Sequence, residues 1–469
     1  MIQTTKRWSR MAVLSVALGL ASTGWARAET LAQTLVSAYE HSGLLDQNRA
    51  LLRAADEDVA QILAGLRPIL NYSADFTRSF GESQAGIFTG TTSSNTVNIG
   101  LSLELLIFDA GRTKFQLEAA KESVLATRET LRSIEQQVLL RAVTAFQDVR
   151  RNQEFVALRD NNLRLLRQEL RAARDRFEVG EVTRTDVAQA EARVAAALSE
   201  FASAQGDLVQ SNEEFRAAVG RKPGNLQAPK RLPKLSGNVD ASAQAAVRGH
   251  PDILQAQHEI STAELNIRAA KAATKPNVNL FGNLAAGEDI TDEDFSRTGN
   301  FGVQVTAPIY QGGLLSSLTR QAQAQRDASR GNLHEVRHRI VQDVGSAYAI
   351  LRATEASRTA SREQVRAADV AFRGVREEAT LGARTTLDVL DAEQELLDAR
   401  ANMIAAQADV VVAAYSVLAS LGQLTAKDLN LDVQTYDPAA YYNLVKDAPV
   451  PISPQGKKLD KVLRALGKE

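Results

Sequence analysis

Leu381-Gly-Ala-Arg-Thr-Thr-Leu-Asp-Val-Leu-Asp391-Ala-Glu393 decides how this 469-residue chain is read, because the chain carries a degenerate earlier copy of it. Gly180, Thr183, Asp186 and Glu191 stand 202 positions before Gly382, Thr385, Asp388 and Glu393. The same offset relates Phe108-Asp-Ala-Gly111 to Tyr310-Gln-Gly-Gly313, and Gly220 to Gly422, so no insertion separates the copies over this stretch. Upstream, Pro68 pairs with Pro276 at 208, which places a longer loop in the first copy. A period of this size is too long for a solenoid unit. The chain is a duplicated half-molecule.

Each half has the same order, and the halves are read as 29–235 and 236–430. Residues 31–67 and 240–275 have helical apolar spacing, such as Leu51, Ala55, Val59, Ile62 and Leu66, ended by Pro68 or Pro276. Alternation follows. Val97, Ile99, Leu101, Leu103 and Leu105 interleave with polar or small residues, as do Phe301, Val303, Val305, Ala307 and Ile309, which predicts strands. With weaker partners near 69–80 and 277–285, and loops rich in Gly, Ser, Thr, Asn and Asp, two β-hairpins are expected at about 69–108 and 277–310. From Arg112 to Val179 there is then no Gly or Pro, so a continuous helix would be about 100 Å long. Its counterpart, Leu314 to Leu381, also lacks Pro but carries Gly331, Gly345 and Gly374. A return helix follows each. Residues 431–469, with Asp437-Pro438 and Pro449 to Pro454, are read as a flexible, poorly packed tail. The fold class is mainly α with a small β part: a long-helix coiled-coil bundle plus two hairpins.

Composition limits the function classes. Aromatics are 5%, and Lys+Arg is 55 against Asp+Glu 56, which gives no polyanion-binding signal and argues against nucleic acid. Residues 1–28 read as a secretory signal peptide: Lys6, Arg7 and Arg10, an apolar run from Met11 to Leu20, and Ala26-Arg27-Ala28 before Glu29. Its removal leaves 51 basic against 56 acidic residues. Zero cysteine removes disulfides, thiolate metal sites, cysteine nucleophiles and an acylated N-terminal cysteine. No later segment has 18 consecutive apolar residues, so no helical membrane span is expected.

Four strands cannot close a barrel. Strands of about ten residues with one apolar face suit a transmembrane barrel, whose edges must be closed because lipid cannot satisfy them. Self-association of three copies would give twelve strands. The competing reading is a periplasmic coiled-coil spacer whose hairpins stay in water. The signal peptide, the duplicated helix–hairpin–long-helix halves and the two Gly-x-x-Thr-x-x-Asp turns resemble the TolC-type outer-membrane channel family over about residues 29–430. That resemblance implies a homotrimer with a 12-stranded outer-membrane β-barrel and a 12-helix periplasmic tunnel. It implies a passive exit duct of a tripartite efflux pump or type I secretion system in a Gram-negative type envelope. Its partners would be a periplasmic adaptor and an inner-membrane ABC or proton-driven transporter, with no cofactor. The missing acylation cysteine leans toward the non-lipidated branch that resembles type I secretion ducts.

The turns carry the candidate site. Thr183 to Asp186 and Thr385 to Asp388 fit a capping-box variant, which accounts for both aspartates without any function. Asp391 is different, since its first-half counterpart is Gln189. Asp388 and Asp391 share a helix face, and a trimer would place six carboxylates around one axis. By resemblance they match the family's periplasmic entrance ring, while Arg384 and Asp186 match a gate lock. Val179, Gly180, Leu381 and Gly382 match the tips that meet the adaptor; plain helix C-caps explain them as well. The family's archetype has tyrosine where this chain has Ala379. His334-Glu335-Val336-Arg337-His338 fits the H-E-x-x-H zinc-hydrolase pattern. Arg337 and Arg339, and first-half counterparts Arg132 and Gln136, argue instead for a solvated face.

Overall fold

The computed structural model describes residues 29–229, 231–290 and 294–465; the expected signal peptide lies outside the described residues. Ten helices and four strands are present among them. In chain order these are α1 (Leu31–His41), α2 (Gly43–Ala64), β1 (Ile69–Ala85), β2 (Phe88–Phe108), α3 (Arg112–Glu178), α4 (Arg184–Val219), α5 (Val239–Gly249), α6 (Pro251–Ala272), β3 (Asn277–Asp289), β4 (Asp294–Thr306), α7 (Leu314–Thr380), α8 (Thr386–Ser420), α9 (Pro438–Val445) and α10 (Pro454–Ala465). The duplication is visible as the order α-α-β-β-α-α, twice. The helix expected over 31–67 is broken at Ser42, and that over 240–275 at His250, again 208 positions apart. Local capping explains both breaks. The Ser42 hydroxyl accepts from the Leu45 N–H at 3.3 Å, and His250 Nδ1 accepts from the Asp252 N–H at 3.1 Å with Pro251 at the first helical position.

Two compact units share these elements. The first takes in Met1–Leu45, Ile134–Val247 and Ile340–Thr435; the second Asp46–Ser133, Arg248–Arg339 and Tyr436–Glu469. In the first unit, Leu139, Val143, Phe146, Phe215, Val417 and Leu424 are fully buried. Gly220 ends α4 with φ +86°, and a Cβ there would meet the His41 ring at 2.2 Å, so both backbone and packing demand glycine. Glu29 is clamped by two Arg221 bonds of 2.7 and 2.6 Å and by Thr34. Burial pushes its carboxyl up, but those bonds outweigh burial and hold it below the usual range. An 18-residue stretch of helix α8 has a mean hydropathy of 1.6, enough to cross a membrane by length and composition. Its Leu390, Leu396, Leu397, Ala399, Val410 and Val417 are instead buried in protein.

The second unit holds the sheet, an antiparallel meander in the order β1-β2-β3-β4. The strands run longer than sequence alternation predicts. Ala85 pairs Phe88 across Gly86-Ile87, so the Ser/Thr-rich stretch expected to be loop is ladder. Main-chain pairing with a neighbour overrides weak residue preference there. Conversely, β4 stops at Thr306, short of the expected Ile309. The hairpins are joined by β2–β3 pairing, from Thr96–Asp289 to Phe108–Val278, which crosses the two repeats. One apolar face is exposed: Leu70, Tyr72, Phe76 and Phe80 on β1, and Phe301, Val303 and Val305 on β4.

The tail departs from expectation. Residues 436–465 contain α9 and α10 and are packed within the second unit rather than hanging free. Val445 is fully buried, and Tyr441 donates to Glu57 at 2.6 Å. Arg49 lies 5.4 Å over the Tyr436 ring and Arg128 5.6 Å over Tyr442. The Arg67 guanidinium donates to the carbonyls of Asp447 and Ala448. Proline density misled the sequence reading, because Pro438 and Pro454 open helices here, where their lost N–H costs nothing. Beside this seam Asp56 is completely buried with both oxygens unpaired, and burial pushes it up to about 6 despite Arg128.

Candidate functional site at the two glycine turns

Both turns belong to the first unit and are built alike. Gly180 and Gly382 each adopt φ +80°. Glu181 N–H donates to the Arg176 carbonyl, and Ala383 N–H to the Glu378 carbonyl, both at 2.9 Å, closing the orphan carbonyls of the long helices. Thr183 and Thr385 then cap α4 and α8. Asp186 Oδ2 accepts from Thr183 N–H at 2.8 Å and from its hydroxyl at 2.7 Å; Asp388 Oδ2 accepts from Thr385 at 2.9 and 2.8 Å. These bonds hold both exposed carboxyls below the usual carboxylate range. The capping-box expectation is therefore met at both turns.

The side chains beyond the caps diverge. Val182 in one turn corresponds to Arg384 in the other, and Arg384 Nε donates to Glu378 at 2.8 Å. Within one chain Arg384 and Asp186 are thus not brought together: each has its own partner. Asp391 accepts from Arg193 of α4 at 2.6 Å, with both side chains more than a third exposed. Its charge is therefore partly matched by a cation from the other repeat. Val179 and Leu381 stand exposed, at 71% and 84%, on the lips of the turns.

Sequence reading missed Glu393. It is 7% exposed, its Oε1 has no partner, and burial together with Glu169 pushes it up to about 7 although Arg376 opposes the shift. It borders a cavity of about 300 Å³ lined also by Leu158, Leu165, Phe372, Leu396 and Leu397. The signal was available, since Leu390, Glu393 and Leu397 fall on one helix face, a carboxylate on an apolar stripe. His334, Glu335 and His338 lie exposed on α7, and no group of three His, Cys, Asp or Glu suited to a metal occurs among the described residues.

Comparison with known proteins agrees with this architecture. The chain is 37% identical over 427 residues to the outer membrane efflux protein BepC of Brucella suis, covering 90% of this chain and 91% of that one. It is 26% identical over 443 residues to the outer membrane protein TolC of Escherichia coli, covering 89% and 87%. The crystal structure of the Campylobacter jejuni CmeC outer membrane channel superposes with a TM-score of 0.75 at 16% identity, covering 89% of each chain, which shows a shared fold. The family profile described as outer membrane efflux protein matches residues 34–221 and 243–423, one match per repeat. This duplicated chain of long helices and paired hairpins belongs to the outer membrane efflux protein family, placed in the outer membrane and extending into the periplasm.

Proposed function

We propose that three copies of this chain close into one outer-membrane barrel and one periplasmic tunnel, a passive exit duct gated at the Gly180 and Gly382 turns. The observation that carries the reading is the sheet. Its edge strands β1 and β4 each have a single hydrogen-bonded neighbour, and its apolar face is exposed. In lipid such edges must be satisfied, and β1 of one copy against β4 of the next does so. Driving force comes from partners: an adaptor that meets exposed Val179 and Leu381 beside Gly180 and Gly382, and an inner-membrane transporter. The duct itself performs no chemistry.

At the mouth, three copies would bring Asp388 and Asp391 together as a ring that concentrates cations. Arg384 would lock the closed state by reaching Asp186 of a neighbouring copy, exchanging its Glu378 bond. Both Arg384 and Glu378 are half-exposed, so the exchange costs little. Without a tyrosine at position 379, this ionic link is the lock's main element. Single-channel current in planar bilayers tests the reading. Small cation-selective steps blocked by trivalent cations, with block lost in Asp388→Ala/Asp391→Ala, are expected. Folded protein that inserts but carries no current would overturn the duct, and unchanged block in the double variant would remove the ring.

A further inference from the structure

The last helix among the described residues presents its charge to solvent. α10 carries Lys457, Lys458, Lys461 and Arg464 against one acid, Asp460. At 100° per residue the four cations fall within an arc of about 120°. All four are exposed, while Gly456 is buried and Leu459 and Leu463 are half-buried on the opposite side; half-buried Asp460 borders the ridge beside Arg464. None of the four takes part in an ion pair among the described residues. Val462, 37% exposed, lies next to the ridge beside Lys458, and Ile452, 85% exposed, stands two residues before the helix begins. The start of the helix is set by the turn before it. Gly456 sits so close to the preceding chain that a Cβ would meet the Val450 carbonyl oxygen at 2.1 Å, and its N–H donates to Ser453 Oγ at 2.9 Å.

The position of this ridge names its partner. Arg67, whose guanidinium holds the carbonyls of Asp447 and Ala448, lies two residues before β1 begins at Ile69. Two residues of chain and one arginine side chain place that junction within roughly 15 Å of the strand root. The exposed apolar face of the sheet already starts there, at Leu70 on β1 and Val305 on β4, and Tyr72 follows as an interfacial aromatic. The basic helix is therefore tethered beside the edge of the lipid-facing band. A helix with a cationic ridge and flanking apolar residues at that level matches an anionic lipid surface.

We propose that the cationic ridge of α10 binds the anionic phospholipid headgroups of the membrane leaflet at the strand roots, anchoring the C-terminal segment to the bilayer beside the barrel. The proposal rests on the outer-membrane placement of the sheet.

Native mass spectrometry of the full-length protein in neutral detergent, titrated with phosphatidylglycerol or phosphatidylcholine, tests it. The wild type should retain phosphatidylglycerol about tenfold better than phosphatidylcholine, given four cations near the surface. Lys457→Gln/Lys458→Gln/Lys461→Gln/Arg464→Gln should lose that preference. The charge-keeping variant Lys457→Arg/Lys458→Arg/Lys461→Arg should retain it, which separates charge from folding. Equal retention of phosphatidylglycerol by the wild type and the glutamine variant would overturn the proposal. So would ridge-dependent binding to purified peptidoglycan without lipid preference. Outer-membrane fractionation of the wild type, run in parallel, tells failure of the ridge from failure of the membrane placement.

Discussion

The two glycine turns share one backbone and carry different side chains. Gly180 and Gly382 have the same φ, and the caps at Thr183 and Thr385 agree to about 0.1 Å in each hydrogen bond. Eleven residues after each glycine the contrast becomes chemical. Glu191 is exposed and paired with Arg174 at 2.6 Å, whereas its counterpart Glu393 is buried with an unpaired oxygen. After duplication, the parts that end and begin helices stayed fixed by local geometry. Burial and charge pairing were free to change, because they depend on which helix packs alongside.

The largest difference between the halves should appear at this pair. Glu393 has its folded pKa raised from 4.5 to about 7, so the folded state holds the proton more tightly than the unfolded chain. Stability is therefore fully present below about pH 4.5 and is lost as pH rises toward 7. That loss amounts to roughly 3 kcal/mol at most. Glu393→Gln should remove this slope and gain roughly 2–3 kcal/mol at pH 7.5, while Glu191→Gln should change stability by under about 1 kcal/mol. Denaturation of the purified protein across a pH series, variant minus wild type, reads both. Subtraction also cancels Asp56, which titrates in the same direction with a raised value of about 6. Equal effects at 191 and 393 would break the comparison.

Gating should separate the turns next. Arg384→Ala is expected to raise single-channel conductance several-fold, and Asp186→Ala to do the same if the two form one link between copies. Val182→Ala, at the matching place in the other turn, should leave the current unchanged. Equal currents from all three variants would show that the lock lies elsewhere.

The caps should show the smallest difference. Thr183→Ala and Thr385→Ala should each cost about 1 kcal/mol, with no resolvable difference between them. A cost confined to one turn would mean that the matching hydrogen bonds conceal unequal packing.

Much of this fold was legible because its signals are local. The uninterrupted stretch from Arg112 and the glycines at 180 and 382 define the long helices, and Thr-x-x-Asp begins the return helices. Pro68 and Pro276 mark where the hairpins start. Even the break at His250 was written beside Pro251, although the apolar spacing drew attention past it. At the site, the caps were readable residue by residue, whereas the exposure of Val179 and Leu381 on the lips came from the structure. Partners were not readable. Arg193 reaches Asp391 from the other repeat, and Glu378 rather than Asp186 receives Arg384 within the chain.

By itself the sequence determined the duplication, through matches at one constant offset, and the two long helices, the caps of the return helices and the alternation of the strands, since each of these rests on residues within a few positions of one another. Tertiary structure alone decided three things. It joined β2 to β3 across the repeats, buried Glu393 between helices, and laid the tail on the second unit through Tyr441 and Glu57, 384 positions apart. The physical reason is the same in each. A hydrogen bond or a buried surface needs a second participant, and no periodicity along one segment specifies which distant segment will supply it.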